Sequence, residues 1–201
     1  MVFFSRQLNA RLAQLVEHPL DVGRVRGSSP LSRTVMIREM TKDDVARVAE
    51  IDVFGGRSTY KDFVPNNLYL KVRDVTHALD EFNRWLLNKG NVDYYVYDED
   101  GVIKGYLCFE IRPATDMPDF VECMGLFVEP FMKQQGIGTK LLEFFENKVR
   151  ERGYSKVYLW TFEKNENARK FYEKNGWAMD GNRMHNELYD SWIVRYSKKL
   201  V

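Results

Sequence analysis

The sequence predicts an α/β layer fold, and three patterns carry that prediction. Short runs alternate apolar and polar residues, as half-buried strands do, and two longer segments place apolar residues at helical spacing. Glycine and acidic clusters punctuate the chain between these segments, so strands and helices interleave instead of forming separate blocks.

Val35 to Met40 alternates as a first strand, and Thr41-Lys42-Asp43-Asp44 reads as a helix start. Thr41 is its cap, Asp44 favours the positive helix end, and Val45, Val48 and Ala49 face inward. Gly55-Gly56 is expected to break that helix and open a polar, aromatic segment through Tyr60, Phe63 and Pro65. Val75, Ala78, Leu79, Phe82, Trp85 and Leu86 form one helical stripe, ended by Gly90. Val92 to Tyr97, a turn over Asp98-Glu99-Asp100-Gly101, and Val102 to Ile111 read as a hairpin. Phe120 to Val128 is the next strand. Ile137, Leu141, Leu142, Phe145 and Val149 stripe the following helix, which Gly153 stops. Val157 to Phe162 is a strand, Asn167 to Lys174 a short helix ended by Gly176, and Trp177 to Met184 and Trp192 to Tyr196 are closing strands. Neither internal repeats nor low-complexity tracts interrupt this order.

With 201 residues, 44% of them hydrophobic, the chain can bury one full-sized core and little more. Thirty basic residues against 29 acidic ones supply no overall field for nucleic acid, so no nucleic-acid partner is expected. No apolar run approaches the about 18 residues of a membrane span, so no membrane partner is expected either. Cys108 and Cys123 sit in alternating runs, which fits reduced thiols in a cytoplasmic protein better than a disulfide framework. His18, His77 and His185 lack metal-ligand spacing, so no metal is expected.

Residues 1–35 differ in kind, with five arginines against Glu17 and Asp21, a net of +3 that leaves −2 for the remainder. The run from Arg11 to Thr34 resembles conceptual translations of transfer-RNA genes, so residues 1–35 read as a doubtful extension with the true start at Met36, and 36–201 as the single domain. An Arg-rich transit peptide is the rival reading, against which acidic residues interrupt the stretch.

The most informative stretch runs Val128-Glu129-Pro130-Phe131-Met132-Lys133-Gln134-Gln135-Gly136-Ile137-Gly138-Thr139, followed one helix and one strand later by Asn165 and Tyr172. A strand that enters a glycine turn opening a helix offers backbone N–H groups to a phosphate. A dinucleotide fingerprint is disfavoured because its third glycine position is Leu141, and Gly138-Thr139-Lys140 has the wrong order for a nucleotide P-loop.

The two linked motifs resemble those of the GNAT superfamily of acyl-CoA-dependent N-acetyltransferases, with Lys133 in place of the usual Arg or Gln, over roughly residues 36–201. The resemblance implies a GNAT-type fold: a central, mostly antiparallel mixed sheet, flanked by helices, whose strands ending at Val128 and Phe162 splay apart. It implies acetyl-CoA as cosubstrate, held at its diphosphate by Lys133, Gln134, Gln135, Gly136, Ile137, Gly138 and Thr139, along its pantetheine arm by the backbone of Leu126, Phe127 and Val128, and by Asn165. Pro130, lacking an N–H, would end ordinary strand pairing there. The acceptor is then a small-molecule or peptide amine attacking directly in a ternary complex, and a homodimer is open. The alternative is a non-catalytic acyl-CoA-binding or sensory module on the same fold.

An attacking amine must lose a proton and a leaving thiolate must gain one. By resemblance Tyr172 matches the tyrosine that commonly serves the thiolate, while Phe171 lacks a hydroxyl and reads as core. Glu122, fourteen residues before Gly136, stands where histone-type members carry their base; alternation places it on one face with Met124 and Leu126. Ribosomal-protein N-terminal acetyltransferases carry a glutamate where this chain has Trp160, which argues against that branch. Asn165 also suits a helix cap. Arg169 and Lys170 are candidates for the phosphate end. Tyr60, Glu110, Arg112, Trp177 and His185 fall near the acceptor side.

Overall fold

A computed structural model describes residues 34–113 and 117–201, all within the unit Arg33–Val201. The expectations placed on residues 1–33, including most of the transfer-RNA-like run, lie outside these described residues.

Among them, seven strands form one sheet: β1 Val35–Glu39, β2 Val92–Glu99, β3 Val102–Glu110, β4 Val121–Val128, β5 Lys156–Phe162, β6 Ala178–Asn186 and β7 Ser191–Lys199. Their spatial order is β1-β2-β3-β4-β5-β7-β6. Every neighbouring pair is antiparallel except β4 and β5, which run parallel. The helices are α1 Val45–Tyr60, entered through a 3₁₀ turn at Lys42–Asp44, α2 Asn66–Val72, α3 Val75–Leu87, α4 Ile137–Glu151 and α5 Glu166–Lys174.

Two apolar layers follow from the strand alternation. On one face Val45, Val48 and Ile51 of α1 and Ala78 and Phe82 of α3 pack on Tyr94, Val96, Tyr106 and Cys108. On the other, the predicted α4 stripe of Ile137, Leu141, Leu142, Phe145 and Val149 is wholly buried against Tyr97, Leu107, Phe109, Leu159 and Tyr196. Burying about 1.5–3 kcal/mol of side chain at each such position makes this layer the anchor of the glycine turn that precedes it.

Three local expectations are corrected. Gly55-Gly56 does not break α1, which runs on to Tyr60. Glycine costs a helix about 1 kcal/mol per residue, and here close packing offsets that cost. A Cβ on Gly55 would meet the Phe127 ring at 3.3 Å, and one on Gly56 would collide with the Tyr69 phenol. The polar, aromatic segment after Tyr60 contains the short helix α2, with Tyr69 as its buried residue. The hairpin turn is shorter than expected: both strands extend, leaving Asp100 (φ 55°) and Gly101 (φ 80°), two left-handed residues in succession, as a type I′ turn requires.

Candidate active site

The sheet divides between β4 and β5. The two strands pair only at Val121 with Val157 and Glu122 with Tyr158. Beyond that rung β4 stays with β3 as far as Val128 opposite Gly105, and β5 stays with β7 as far as Phe162 opposite Ile193. A V-shaped gap therefore exposes strand edges inside the sheet, Leu126, Phe127 and Val128 on one side and Trp160, Thr161 and Phe162 on the other. Proteins normally cover or blunt such edges, because unpaired backbone groups invite an added strand.

A register shift opposite Cys108 and Phe109 places a bulge at Met124 and corrects the expected face of Glu122. Cys123 and Leu126 both pack in the α4 layer although three residues apart, so alternation reverses between them. Glu122 thus shares its face with Phe127, not Leu126. Phe127 stacks on Tyr106 with centroids 5.5 Å apart and planes 13° from parallel.

At the open end of the gap Pro130–Met132 makes one 3₁₀ turn, and the chain then passes through two left-handed residues, Gln134 (φ 65°) and Gly136 (φ 78°), before α4 begins. Lys140 N–H donates to the Gly136 carbonyl as the first helical bond, so the amides of Ile137, Gly138 and Thr139 have no acceptor within the helix. Gly136, the N-cap, offers no side chain to them. Three N–H groups without helical acceptors at the positive end of a 15-residue helix can bind an anion. The two glycines serve different ends. A Cβ on Gly136 would meet nothing within 4 Å, leaving the space above the turn clear, whereas one on Gly138 would meet the Phe171 ring at 3.3 Å. Lys133 donates to Thr59 Oγ1 at 3.1 Å, across to the end of α1, and its partial burial holds its pKa below the ordinary lysine value.

Asn165 caps α5: its Oδ1 accepts from Ala168 N–H at 3.2 Å, and the residue is 8% exposed. Seven positions on, Tyr172 is half-buried beside Phe171, Trp177 and Tyr196, and its hydroxyl makes no hydrogen bond among the described residues. Burial pushes its phenol well above the ordinary tyrosine value, with the nearby Cys123 adding to the rise. The phenol stays protonated and can donate. Arg169 and Lys170 point elsewhere, Arg169 to Tyr196 Oη and the Glu163 carbonyl, Lys170 to Glu166.

Glu122 sits at the vertex of the V. Its carboxylate accepts from the Tyr158 hydroxyl at 2.9 Å, and its own N–H donates to Glu110 at 3.2 Å. Glu122 belongs to the α1–α3 face and Tyr172 to the α4–α5 face, so the divided sheet is where both can address one cleft. Tyr60, at the end of α1, belongs to an aromatic wall with Phe63, Tyr69, Phe162 and Tyr189. Trp177 leaves the acceptor group: it is 2% exposed and donates to the buried Glu146 at 2.9 Å. His185 lies between Glu187 and Asp190 on the β6–β7 turn, against Trp192. Sequence reasoning missed Thr59 and Tyr158. Tyr158 was in principle visible as the polar-tipped member of the alternating trio Tyr158, Trp160, Phe162, but its partner depends on the β4–β5 register.

Comparison with known proteins agrees with this architecture. The chain belongs to the acetyltransferase (GNAT) family, whose profile matches residues 59–177. It is 29% identical over 135 residues to an uncharacterised N-acetyltransferase of the pepI 3′ region of Lactobacillus delbrueckii subsp. lactis, covering 66% of this chain and 74% of that one. An uncharacterised N-acetyltransferase of Archaeoglobus fulgidus is 28% identical over 138 residues, covering 68% and 88%. Among solved structures, the PaiA N-acetyltransferase of Thermoplasma acidophilum in complex with coenzyme A superposes with a TM-score of 0.65 at 19% identity, over 83% of this chain and 99% of that one. The yncA protein of Salmonella typhimurium, solved with its cofactor acetyl-CoA, gives 0.61 at 20% identity over 84% and 95%. At such identities the structures speak for the fold.

Proposed function

We propose that this protein transfers the acetyl group of acetyl-CoA to a primary amine of a small molecule or peptide, by direct attack in a ternary complex. The observation that carries the reading is the continuity of the gap: open strand edges at Leu126, Phe127 and Val128 lead into a helix start whose amides are uncapped. The residues fit the coenzyme's two demands. The amides of Ile137, Gly138 and Thr139 suit its diphosphate, together with Lys133, Gln134, Gln135 and the clear space over Gly136, while the β4 edge suits the pantetheine amides. Asn165 contributes its side-chain NH₂, since its Oδ1 is engaged in capping.

When bound, acetyl-CoA supplies an acetyl group activated as a thioester. The chain's own residues handle the protons. Glu122 accepts the proton that the incoming ammonium must lose before its nitrogen can attack. Tyr172 holds a proton at Oη and gives it to the departing sulfur.

Thiol release from acetyl-CoA, followed across a panel of polyamines, amino acids, aminoglycosides and peptides, tests the reading. Amine-dependent release with a matching acetylated product is expected. Tight coenzyme binding with no release on any amine would leave only a binding module.

A further inference from the structure

The vertex of the V holds more than a candidate base. Glu122 and Tyr158 are the last residues at which β4 and β5 pair, and the hydrogen bond between their side chains spans that final rung. Glutamate reaches its carboxylate through three rotatable bonds, so a carboxylate at the edge of an open cleft needs something to aim it. Tyr158 is itself braced. It is 6% exposed; Phe120 packs edge-on at 6.3 Å, and the Arg195 guanidinium lies 5.6 Å from its ring centroid. Arg195 is in turn fixed by Asp180 at 2.7 Å. On the other side of Glu122, Glu110 receives its N–H and pins the backbone.

We propose that Tyr158 is a positioning residue for Glu122: its phenol aims the carboxylate into the cleft and stabilises the ionised form that accepts a proton from the amine. The inference rests on the assignment of Glu122 as base, and it adds that the base works as part of a braced pair whose second member never touches the reactants. The Tyr158 hydroxyl donates to the Glu122 carboxylate, and acting through it the phenol matters to turnover while Glu122 is present.

Two measurements on the full chain test this. With ¹³C-labelled glutamate, and Glu122 assigned through Glu122→Gln, Tyr158→Phe should raise the titration midpoint of the Glu122 carboxyl by about one pH unit, because a donor to the charged form has been removed. An unchanged midpoint would overturn the proposal, and this readout needs no acceptor. In the thiol-release assay, Tyr158→Phe should lower kcat about 10- to 100-fold with the KM for acetyl-CoA unchanged, and should cost nothing further in the Glu122→Gln background. Losses that multiply in the double variant would refute positioning through Glu122 while leaving the base assignment intact. A wild-type rate in Glu122→Gln alone would dispose of both. The phenylalanine keeps the contacts with Phe120 and Arg195, and coenzyme affinity measured by calorimetry confirms a folded cleft.

Discussion

Gly56 and Tyr69 occupy the same space to within one methyl group: a side chain begun at Gly56 would run into the Tyr69 phenol, whose hydroxyl reaches the Val53 carbonyl at 3.4 Å. The relationship reverses the usual sign of a helical glycine substitution. Gly56→Ala gains the ordinary helix preference of about 1 kcal/mol but must displace a buried aromatic ring, and overpacking of that kind costs about 1–3 kcal/mol. A net loss of stability is expected in urea unfolding, with Gly90→Ala as the control. Gly90 has open space around it and no left-handed backbone, so alanine there should be neutral or stabilising by about 0.4–1 kcal/mol. Equal effects at the two sites would mean that α1 does not rest on Tyr69.

The start of α1 supplies an acid-sensitive element. Asp44 receives two bonds from Arg38, at 2.7 and 2.9 Å, and accepts from both the N–H and hydroxyl of Thr41 at 2.8 Å. Chiefly through Arg38, its pKa is lowered from the usual 3.8 to about 2. A carboxyl depressed in the folded state contributes stability above its unfolded pKa and loses it as pH falls through the folded one. The contribution, about 1–2 kcal/mol after allowance for the partly exposed Arg38, should therefore be complete above pH about 5 and fade towards pH 2. Asp44→Asn should lower stability at pH 7 by about that amount and flatten the acid limb. Parallel pH–stability curves for the two proteins would show that the pair is not coupled to folding.

Alternation and helical stripes were enough to locate most of these elements, because a buried Leu141 or Phe145 announces its period without help from distant residues. Local signals also placed the glycine turn that opens α4, whose glycines and preceding proline act within ten residues. What the sequence concealed was tertiary. Gly55-Gly56 looks like a helix stop until Phe127 and Tyr69 are seen against it, and the bulge at Met124 moved Glu122 to the face opposite Leu126 without altering any residue. Trp177 was misplaced for the same reason: its destination depends on Glu146, thirty-one positions away. The pairing of Glu122 with Tyr158 needs the β4–β5 register, which no alternation pattern encodes.

The left-handed backbone at Gly136 permits a graded test of the anion site. Asparagine tolerates this conformation at small cost, so Gly136→Asn should fold and weaken coenzyme affinity only modestly. Glutamate adds both strain, about 1–2 kcal/mol, and a negative charge beside the three amides. Gly136→Glu should reduce coenzyme A affinity at least about 100-fold by calorimetry, while its unfolding midpoint falls by no more than the strain accounts for. Retained affinity in that variant would move the diphosphate away from this turn.

Tyr172 offers the sharpest separation between enzyme and binder. Its ring is fixed by three aromatic neighbours, so Tyr172→Phe removes one oxygen and little packing. Burial raises the phenol's pKa, so the hydroxyl keeps its proton throughout the working range and ionises only above the ordinary tyrosine value of about 10. A group in that state can serve as donor but not as base. If it protonates the departing sulfur, the phenylalanine variant should lose about 10- to 10⁴-fold in kcat at neutral pH while holding coenzyme A as tightly as the parent. The loss should shrink with an acyl donor whose leaving thiol is more acidic, because a better leaving group needs less help. A uniform loss across such donors would point to a misplaced helix α5 rather than a missing proton, and an unchanged kcat would remove the tyrosine from the reaction altogether.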